Sequence, residues 1–241
     1  MNKKELELKE SELVWKYLKD LTPGFFFEVG ANDPFFLSQT WHLEEKGWKG
    51  VLVEPIPERA ELLRKGRPNS QVFEVACGSP EQVGEAVFYI GEADQLSSLQ
   101  KYIDDPNVNY IKNIKVKVMT LDSILEQIKP ARVDFVSIDT EGTEIEVLRG
   151  FSIHKWRPRL ILIEDKVHSL NKHHYLKSQN YKLVKRTSVN NWYVPSDAKP
   201  PDVELWEKFY IIKKMYLGTP FRIFKLYLKR INAIKKQKEN N

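Results

Sequence analysis

The sequence predicts an α/β fold: a mostly parallel sheet covered by helices on both faces and closed at one edge by an antiparallel strand. Apolar strand-like runs alternate with helical segments from residue 25 to residue 164. Alternation of this length is typical of a parallel sheet with helical crossovers. Two later strand-like runs, 181–187 and 191–194, follow each other without a long helix between them. They therefore predict the antiparallel edge.

Apolar spacing and chain-breaking residues place each element in turn. An amphipathic helix is predicted over 4–18, and Thr22-Pro23-Gly24 separates it from the first strand. Two short β-like runs, 86–90 and 114–119, interrupt the alternation and predict either a hairpin or lid beside the site or a purely structural insertion. The remaining predicted strands are 25–29, 51–54, 71–76, 133–138 and 160–164, and the remaining predicted helices are 38–46, 58–65, 121–128, 144–148 and 170–179.

Length and composition predict one globular domain with an appendage. The 241 residues are enough for one substantial core, and we expect a domain over 1–198 and an appendage over 199–241. The single cysteine, Cys77, fits a reducing compartment. No apolar run is long enough to cross a bilayer and the charged N-terminus lacks a signal core, so the sequence predicts a cytoplasmic protein.

The appendage carries the positive charge of the chain. Between Lys208 and Lys238 there are ten basic residues and no acidic one, whereas the rest of the chain has more acidic than basic residues. The segment 221–236 projects as a helix with an apolar side and a basic side. Such a helix can lie on an anionic membrane, or it can dock on its own domain or on a partner. The acidic body gives no basic groove, so we expect no nucleic acid, while an oligomer remains open.

A glycine turn after the first strand indicates an adenosine-binding site. Gly30 follows the apolar strand 25–29, and Glu54 ends the second strand 24 residues later, the position of an acid that binds ribose hydroxyls. A dinucleotide needs three glycines at this turn, whereas Ala31 and Asn32 follow here. The acids nearby, Glu28 and Asp33, would repel a pyrophosphate but suit the sulfonium and ammonium of S-adenosylmethionine. An ordinary strand-turn-helix with surface acids is the alternative. The residues expected to line the cofactor are Glu28, Gly30, Ala31, Asn32, Asp33, Glu54, Pro55, Ala76, Cys77 and Asp139.

Acidic residues also follow the fourth and fifth predicted strands. Ligands of open α/β sheets bind at the carboxyl ends of the strands, so these acids would lie beside the cofactor. Their crowding requires shared positive charge, which a divalent cation such as Mg²⁺, the cofactor sulfonium or Lys166 could supply. We expect Asp139, Glu164 and Asp165 as metal ligands, with Asp139 also in contact with the cofactor. Glu141 and His168 compete as the general base, although Asp139 and His168 could instead be helix caps.

The motifs resemble the FkbM family of S-adenosylmethionine-dependent methyltransferases over about residues 25–194. The resemblance implies a class I methyltransferase fold, which is Rossmann-like, and transfer of a methyl group to a hydroxyl of a carbohydrate, with many members serving bacterial surface polysaccharides. The acidic pattern also resembles that of metal-dependent O-methyltransferases acting on antibiotic sugars, which implies magnesium at Asp139 and at Glu164-Asp165. The chain departs from the FkbM family at Asp33-Pro34. The blocks that carry the FkbM resemblance are Phe27-Glu28-Val29-Gly30-Ala31-Asn32, Val53-Glu54-Pro55, Leu96-Ser97-Ser98-Leu99, Leu121-Asp122, Ile138-Asp139-Thr140-Glu141-Gly142-Thr143-Glu144 and Val147-Leu148-Arg149-Gly150.

Two other functions stay open at this point. One is an enzyme that uses NAD or a nucleotide sugar, which the single glycine and the crowded acids disfavour. The other is a non-catalytic adapter that keeps the fold and binds through its basic tail. If the acceptor is a lipid-linked glycan, the basic helix would bring the enzyme to it.

Overall fold

A seven-stranded sheet forms the centre of the protein in the computed structural model, which describes residues 3–92, 97–100 and 109–239. The strands in these ranges are β1 (Phe25–Val29), β2 (Lys49–Val53), β3 (Ser70–Phe73), β4 (Ala76–Cys77), β5 (Gly84–Gly91), β6 (Tyr110–Met119), β7 (Phe135–Ile138), β8 (Leu160–Glu164), β9 (Tyr181–Thr187) and β10 (Asn190–Pro195). The central sheet has the order β3-β2-β1-β7-β8-β10-β9. Only β10 runs antiparallel to its neighbours β8 and β9, which confirms the predicted edge.

Helices cover both faces of this sheet. They are α1 (Lys3–Leu18), α2 (Trp41–Glu44), α3 (Pro57–Gly66), α4 (Leu121–Ile128), α5 (Glu144–Arg149), α6 (Ile153–Trp156), α7 (Asn171–Ser178), α8 (Leu205–Ile212) and α9 (Thr219–Glu239). Alternate side chains of β1 enter different cores: Phe27 and Val29 pack with residues of α4 and α5, and Phe26 packs with residues of α1 and α3. A strand buried on both faces needs an uninterrupted apolar run, and 25–27 is such a run.

A second, three-stranded sheet, which we call the side sheet, stands beside the central one. β5 and β6 pair antiparallel, as the sequence predicted for a hairpin, and β4 joins β6 in parallel. The strand predicted over 71–76 is therefore two strands, because the chain changes partners between Phe73 and Ala76. A bridge from Tyr89 to Ser98 holds the segment 97–99 against β5. Gln95 and Leu96 of that loop lie outside the described residues.

The C-terminal helices lie against the central domain. α8 continues through a π-helical turn (Lys213–Leu217) into α9, which spans the helix predicted over 221–236. The hydroxyl of Tyr216 lies 2.9 Å from His173 Nε2, and Arg222 Nε donates to the carbonyl of Val167 at 3.0 Å. The division into a domain over 1–198 and an appendage over 199–241 stays a prediction. In the described part of the chain, none of the helices is both long and apolar enough to cross a membrane.

Candidate functional site

The turns after β1 and β7 touch at the carboxyl edge of the sheet. Gly30 has a φ of 81°, a conformation that favours glycine, and its amide donates to Val53 at the end of β2. A Cβ on Gly30 would lie 1.7 Å from the carbonyl oxygen of Asp139. The amide of Asp139 in turn donates to Val29 at 3.0 Å. This contact fixes the position of Asp139 relative to the glycine turn.

A narrow cleft of about 60 Å³ runs from the contact between the β1 and β7 turns towards the side sheet. Glu54 closes one end, and its carboxylate accepts hydrogen bonds from the amides of Asn32 at 2.9 Å and Ile56 at 2.8 Å. Because a carboxylate has about four acceptor positions, Glu54 keeps capacity for a ligand. Among the described residues, the buried Oδ1 of Asn32 and Oγ1 of Thr140 have no hydrogen-bond partner, and both residues line the cleft. Further lining residues are Gly30, Pro55, Ala76, Cys77, Phe88, Leu99 and Asp139.

Three other residues of the predicted cofactor set lie at or near the turn. Glu28 is buried, and its carboxylate accepts from Ser38 Oγ at 3.1 Å, the amide of Gln39 at 2.8 Å and the hydroxyl of Thr40. Glu28 therefore organises the segment 38–40, although it also borders the larger cavity described next. Ala31 borders that cavity as well. Asp33 caps the amides of Phe35 and Phe36 and is outside the lining of both cavities.

A larger cavity of about 860 Å³ opens on the other side of the contact between the β1 and β7 turns. Its walls come from α1, from the β9–β10 hairpin and from the segment that leads into α8. Glu10 ties two of these walls together by accepting from Asn190 Nδ2 at 2.8 Å. The ion pair of Lys185 with Glu207 joins α8 to β9. Aromatic and polar side chains alternate along the lining, which includes Phe36, Gln39, Arg186, Asn190, Trp206 and Tyr210.

Three carboxylates meet where the two cavities adjoin. Oxygens of Asp139, Glu141 and Glu164 all lie within 4.8 Å of one another. Lys166 Nζ lies 2.6 Å from Glu141 Oε2 and 3.6 Å from Glu164 Oε1, which offsets part of the repulsion. Asp139 is exposed to the cavities, yet the surrounding protein partly desolvates its carboxylate, and this desolvation, followed by the charges of Glu164 and Glu141, raises the pKa of Asp139 well above its usual range. Burial and the charge of Glu141 raise the pKa of Glu164 to about 7. The cluster is short of positive charge and suited to a cation.

Two predicted residues lie apart from this cluster. Asp165 is buried and turned away: its carboxylate accepts from the amide of Val167 at 2.8 Å and from Asn191 Nδ2 at 3.0 Å. The structure thus groups Glu141, and not Asp165, with Asp139 and Glu164. His168 is exposed and lies outside the residues that line the two cavities.

The sequence comparison decides the family. The model of the methyltransferase FkbM domain matches residues 28–183, which contain the glycine turn, Glu54 and the three carboxylates. The chain belongs to the FkbM methyltransferase family. No curated protein matches it. Family membership and the strand order confirm the predicted class I methyltransferase fold, so this FkbM-family chain is a member of an S-adenosylmethionine-dependent group.

Solved methyltransferase structures are similar to this FkbM-family chain at low identity. The N-terminal domain of human METTL16 with SAH is 14% identical, with a TM-score of 0.43 over 78% of this chain and 68% of that one. SAH-bound PaMTH1 of Podospora anserina is 8% identical, with a TM-score of 0.45 over 78% of this chain and 77% of that one. The human METTL16 catalytic domain with a MAT2A 3′UTR hairpin is 12% identical, with a TM-score of 0.43 over 83% and 73%. No statement about the acceptor follows from these matches.

Two residues that sequence reasoning missed, Glu144 and Lys172, hold the turns that carry the acids of this FkbM-family site. Glu144 accepts from the amide of Gly142 at 2.7 Å, which shapes the turn that carries Asp139 and Glu141. Lys172 Nζ lies 3.0 Å from Glu144 Oε2 and 3.4 Å from Asp165 Oδ1. Burial opposes the charge of Lys172, but the neighbouring carboxylates, Glu144 first, leave its pKa raised. Glu144 belongs to a motif block, whereas nothing in the spacing of α7 marks Lys172.

Proposed function

We propose that this protein transfers a methyl group from S-adenosylmethionine to a hydroxyl oxygen of a carbohydrate. One observation carries the proposal: the narrow cleft, which contains unpartnered polar atoms, and the larger cavity, which has aromatic and polar walls, adjoin each other. The residues that line both are Gly30, Asn32, Asp139 and Glu141. A donor in the cleft and an acceptor in the cavity would therefore meet beside the carboxylates. Family membership supplies the reaction class, and the position of the carboxylates supplies the site.

The cleft fits an adenosine at its polar positions. Glu54 has acceptor capacity for ribose hydroxyls, and the unpartnered Asn32 Oδ1 and Thr140 Oγ1 offer further hydrogen bonds. The missing side chain at Gly30 lets the turn of Asp139 approach, which brings both turns to the wall of the cleft. A volume of about 60 Å³ is smaller than an adenine ring needs, so we expect the walls of the cleft to move apart when the nucleoside binds. S-Adenosylmethionine supplies an electrophilic methyl group on a sulfonium.

The larger cavity fits a sugar in size and in lining. Its 860 Å³ lie within the range of pockets for ligands the size of a small oligosaccharide. Trp206, Tyr210 and Phe36 offer apolar faces on which sugar rings can stack. Gln39 Oε1 and Arg186 Nε are buried and have no partner among the described residues, and both side chains line this cavity, so a rotation of either side chain would present the atom to a hydroxyl group. This combination of aromatic faces and hydrogen-bonding edges favours a carbohydrate over an apolar acceptor.

The carboxylates take the acceptor proton in this scheme. Glu164, with a pKa of about 7, is poised as a general base at neutral pH. A sulfonium bound beside Asp139 and Glu141 would favour the ionised form of Asp139, whose pKa is raised in the unliganded protein. As the acceptor oxygen bonds to the methyl carbon, the carbon–sulfur bond breaks and the hydroxyl proton passes to a carboxylate. Glu164 replaces His168 as base in our proposal, because His168 lies outside both cavities.

A magnesium ion remains a separate prediction for the same cluster. The oxygens of Asp139, Glu141 and Glu164 form a hard ligand set that suits Mg²⁺. Lys166 already pairs with Glu141 and Glu164, so a metal there would have to displace its ammonium group. Mg²⁺ would orient sugar hydroxyls and lower their pKa. We therefore expect Lys166→Met to strengthen Mg²⁺ binding in calorimetric titration, and no Mg²⁺ binding by either protein would remove the metal from the scheme.

The proposed reaction is tested in two steps. Calorimetric titration with S-adenosylmethionine should show binding that Glu54→Gln weakens about tenfold or more, while Glu74→Gln on the exposed β3–β4 connection leaves it unchanged. Methyl-labelled S-adenosylmethionine is then incubated with a fractionated oligosaccharide panel. A carbohydrate ether keeps its label in mild alkali, whereas a methyl ester loses it. Label found only on base-labile products or on protein would contradict the proposal.

If the protein is a non-catalytic adapter, changing the acidic residues should not affect its function. An adapter that has lost chemistry would bind its partner equally well after Glu164→Gln, and it would label no acceptor before the change. In an enzyme, Glu164→Gln should lower the methyl-transfer rate about a hundredfold, the usual contribution of a general base, without abolishing cofactor binding. A role in surface polysaccharide synthesis follows from the family resemblance and would be supported by a labelled polysaccharide repeat unit.

A further inference from the structure

Helix α8 turns its apolar side outward. Leu205, Phe209 and Ile212 are 82%, 63% and 49% exposed, although the helix packs on the domain. The side facing the protein carries Glu207, which pairs with Lys185, and Tyr210, which borders the larger cavity. A surface helix of a globular protein has the reverse arrangement, with its apolar stripe against the core. The orientation of α8 therefore leaves its apolar side available to something else.

The first half of α9 repeats this orientation. Arg222 faces the domain and bonds to the carbonyl of Val167 at 3.0 Å, and Leu226, close to it on the helical wheel, is partly buried. Phe221, Phe224 and Tyr227 are 77%, 61% and 59% exposed. At about 100° per residue, these aromatic side chains lie on the side of α9 opposite Leu226. We call the exposed apolar residues of the two helices and their junction the outer surface: Leu205, Phe209, Ile212, Tyr216, Leu217, Phe221, Ile223, Phe224, Tyr227 and Leu228.

From Lys208 onward the charge around the outer surface is positive, and Glu204 and Glu207 flank only its first residue, Leu205. Ten basic residues and no acidic one lie between Lys208 and Lys238. Lys208, Lys213 and Lys225 are exposed beside the apolar side chains. Apolar and aromatic groups bordered by lysines match the surface of an anionic bilayer, in which acyl chains lie beneath negative headgroups. The apolar residues account for insertion and the lysines for a preference for anionic lipid.

We propose that the outer surface binds an anionic lipid bilayer and places the larger cavity at the lipid surface. Trp206 connects the two features: it lines the cavity, and it is 64% exposed next to Leu205. An acceptor held in the membrane by a lipid tail could then enter the cavity without leaving the bilayer. This last point rests on the proposed function, whereas bilayer binding does not.

Vesicle sedimentation with the full chain tests the inference. We expect the protein to sediment with vesicles of phosphatidylcholine and phosphatidylglycerol, to bind pure phosphatidylcholine at least about tenfold more weakly, and to be released by salt. The double variant Phe209→Glu/Phe224→Glu should lose at least about tenfold in affinity. Leu62→Glu is the matched control, since Leu62 is 46% exposed on α3, away from the outer surface. Its binding should equal that of the wild type.

Separate outcomes distinguish bilayer binding from its rivals. Wild-type protein that stays in the supernatant with anionic vesicles overturns the inference, as does equal loss in the double variant and in Leu62→Glu. A concentration-dependent dimer in sedimentation velocity that disappears in the double variant, without vesicle binding, would assign the surface to a second copy of the chain. Thermal denaturation checks that each variant is folded. Because neither this check nor the vesicle assay needs S-adenosylmethionine, failure of the proposed chemistry would leave the vesicle result intact.

Discussion

Gly30 and Gly47 have nearly the same backbone conformation, with φ of 81° and 83°, in different surroundings. A Cβ at Gly47 meets nothing within 4 Å, whereas one at Gly30 meets the Asp139 carbonyl at 1.7 Å. Gly47→Ala should cost about 1 kcal/mol of unfolding free energy, from backbone strain alone. Gly30→Ala adds a backbone clash, so we expect at least about 3 kcal/mol and loss of S-adenosylmethionine binding. Chemical denaturation measures the loss of unfolding free energy and calorimetry measures cofactor binding. An equal loss of unfolding free energy in the two variants would contradict the close contact between Gly30 and Asp139.

The pKa of Glu164 has a consequence for stability. Its value of about 7 in the folded protein lies above the ordinary 4.5, so between these pH values the folded state holds a proton that the unfolded state has lost. Stability therefore falls as pH rises through this window, by about 3 kcal/mol for this group alone, and then levels off. Glu164→Gln should remove that part of the pH dependence, whereas Glu58→Gln, an exposed change on α3, should not. Denaturation curves from about pH 5 to about pH 8 test this, and parallel profiles for wild type and Glu164→Gln would contradict it.

Individual site residues differed in how far the sequence could place them. Gly30 and Glu54 were placed on the cleft because a turn and the end of a strand are local features of the chain. The choice between Glu141 and Asp165 as the third carboxylate was not local. Consecutive residues at a strand end point to opposite sides, so Glu164 enters the cluster while Asp165 turns towards Asn191. Glu141 reaches the cluster because its φ of 52° reverses the chain after β7.

At the scale of elements, α7 stabilises the acidic turns with one buried lysine. Lys172→Met would leave Glu144 and Asp165 without their shared cation, so we expect a loss of about 3–5 kcal/mol. Lys177→Met changes an exposed residue of the same helix and should stay within about 0.5 kcal/mol of the wild type. Urea denaturation compares the two variants. Similar midpoints would mean that Lys172 adds little to the turns.

The sequence predicted most elements of the central sheet and missed where elements change partners. Strands buried on both faces leave a continuous apolar run, which is why β1, β2, β7 and β8 were visible. In the run over 71–76 only Glu74 follows the end of β3 as a polar residue, and one polar residue fits a continuous strand as well as a change of sheet, so it did not reveal the switch. The amphipathic pattern of 221–236 predicted a helix but not which side would face the domain. That side is set by the bond from Arg222 to Val167, a contact between distant parts of the chain.

At the scale of the whole molecule, the proposed function assigns donor binding to the narrow cleft and acceptor binding to the larger cavity. Trp206 lines only the larger cavity, so Trp206→Ala should raise the KM for a labelled oligosaccharide acceptor about tenfold, by loss of stacking, and leave the Kd of S-adenosylmethionine unchanged. Leu205→Ala, at the neighbouring 82% exposed position, is the control and should change neither value in a vesicle-free assay. A parallel change in both constants for Trp206→Ala would mean that the cavities do not act separately.

The rate at which Cys77 is chemically modified can report how often the narrow cleft opens. Cys77 is the single cysteine in the chain, and it lies buried on β4, the strand of the side sheet that lines the cleft together with Glu54. Because its thiol is buried and burial raises its pKa, we expect a thiol-specific reagent to modify it only when the cleft opens. The modification rate therefore reports the frequency of opening, and a bound nucleoside should slow it. Occupancy of the cleft can thus be followed by mass spectrometry on the native chain, without an introduced probe.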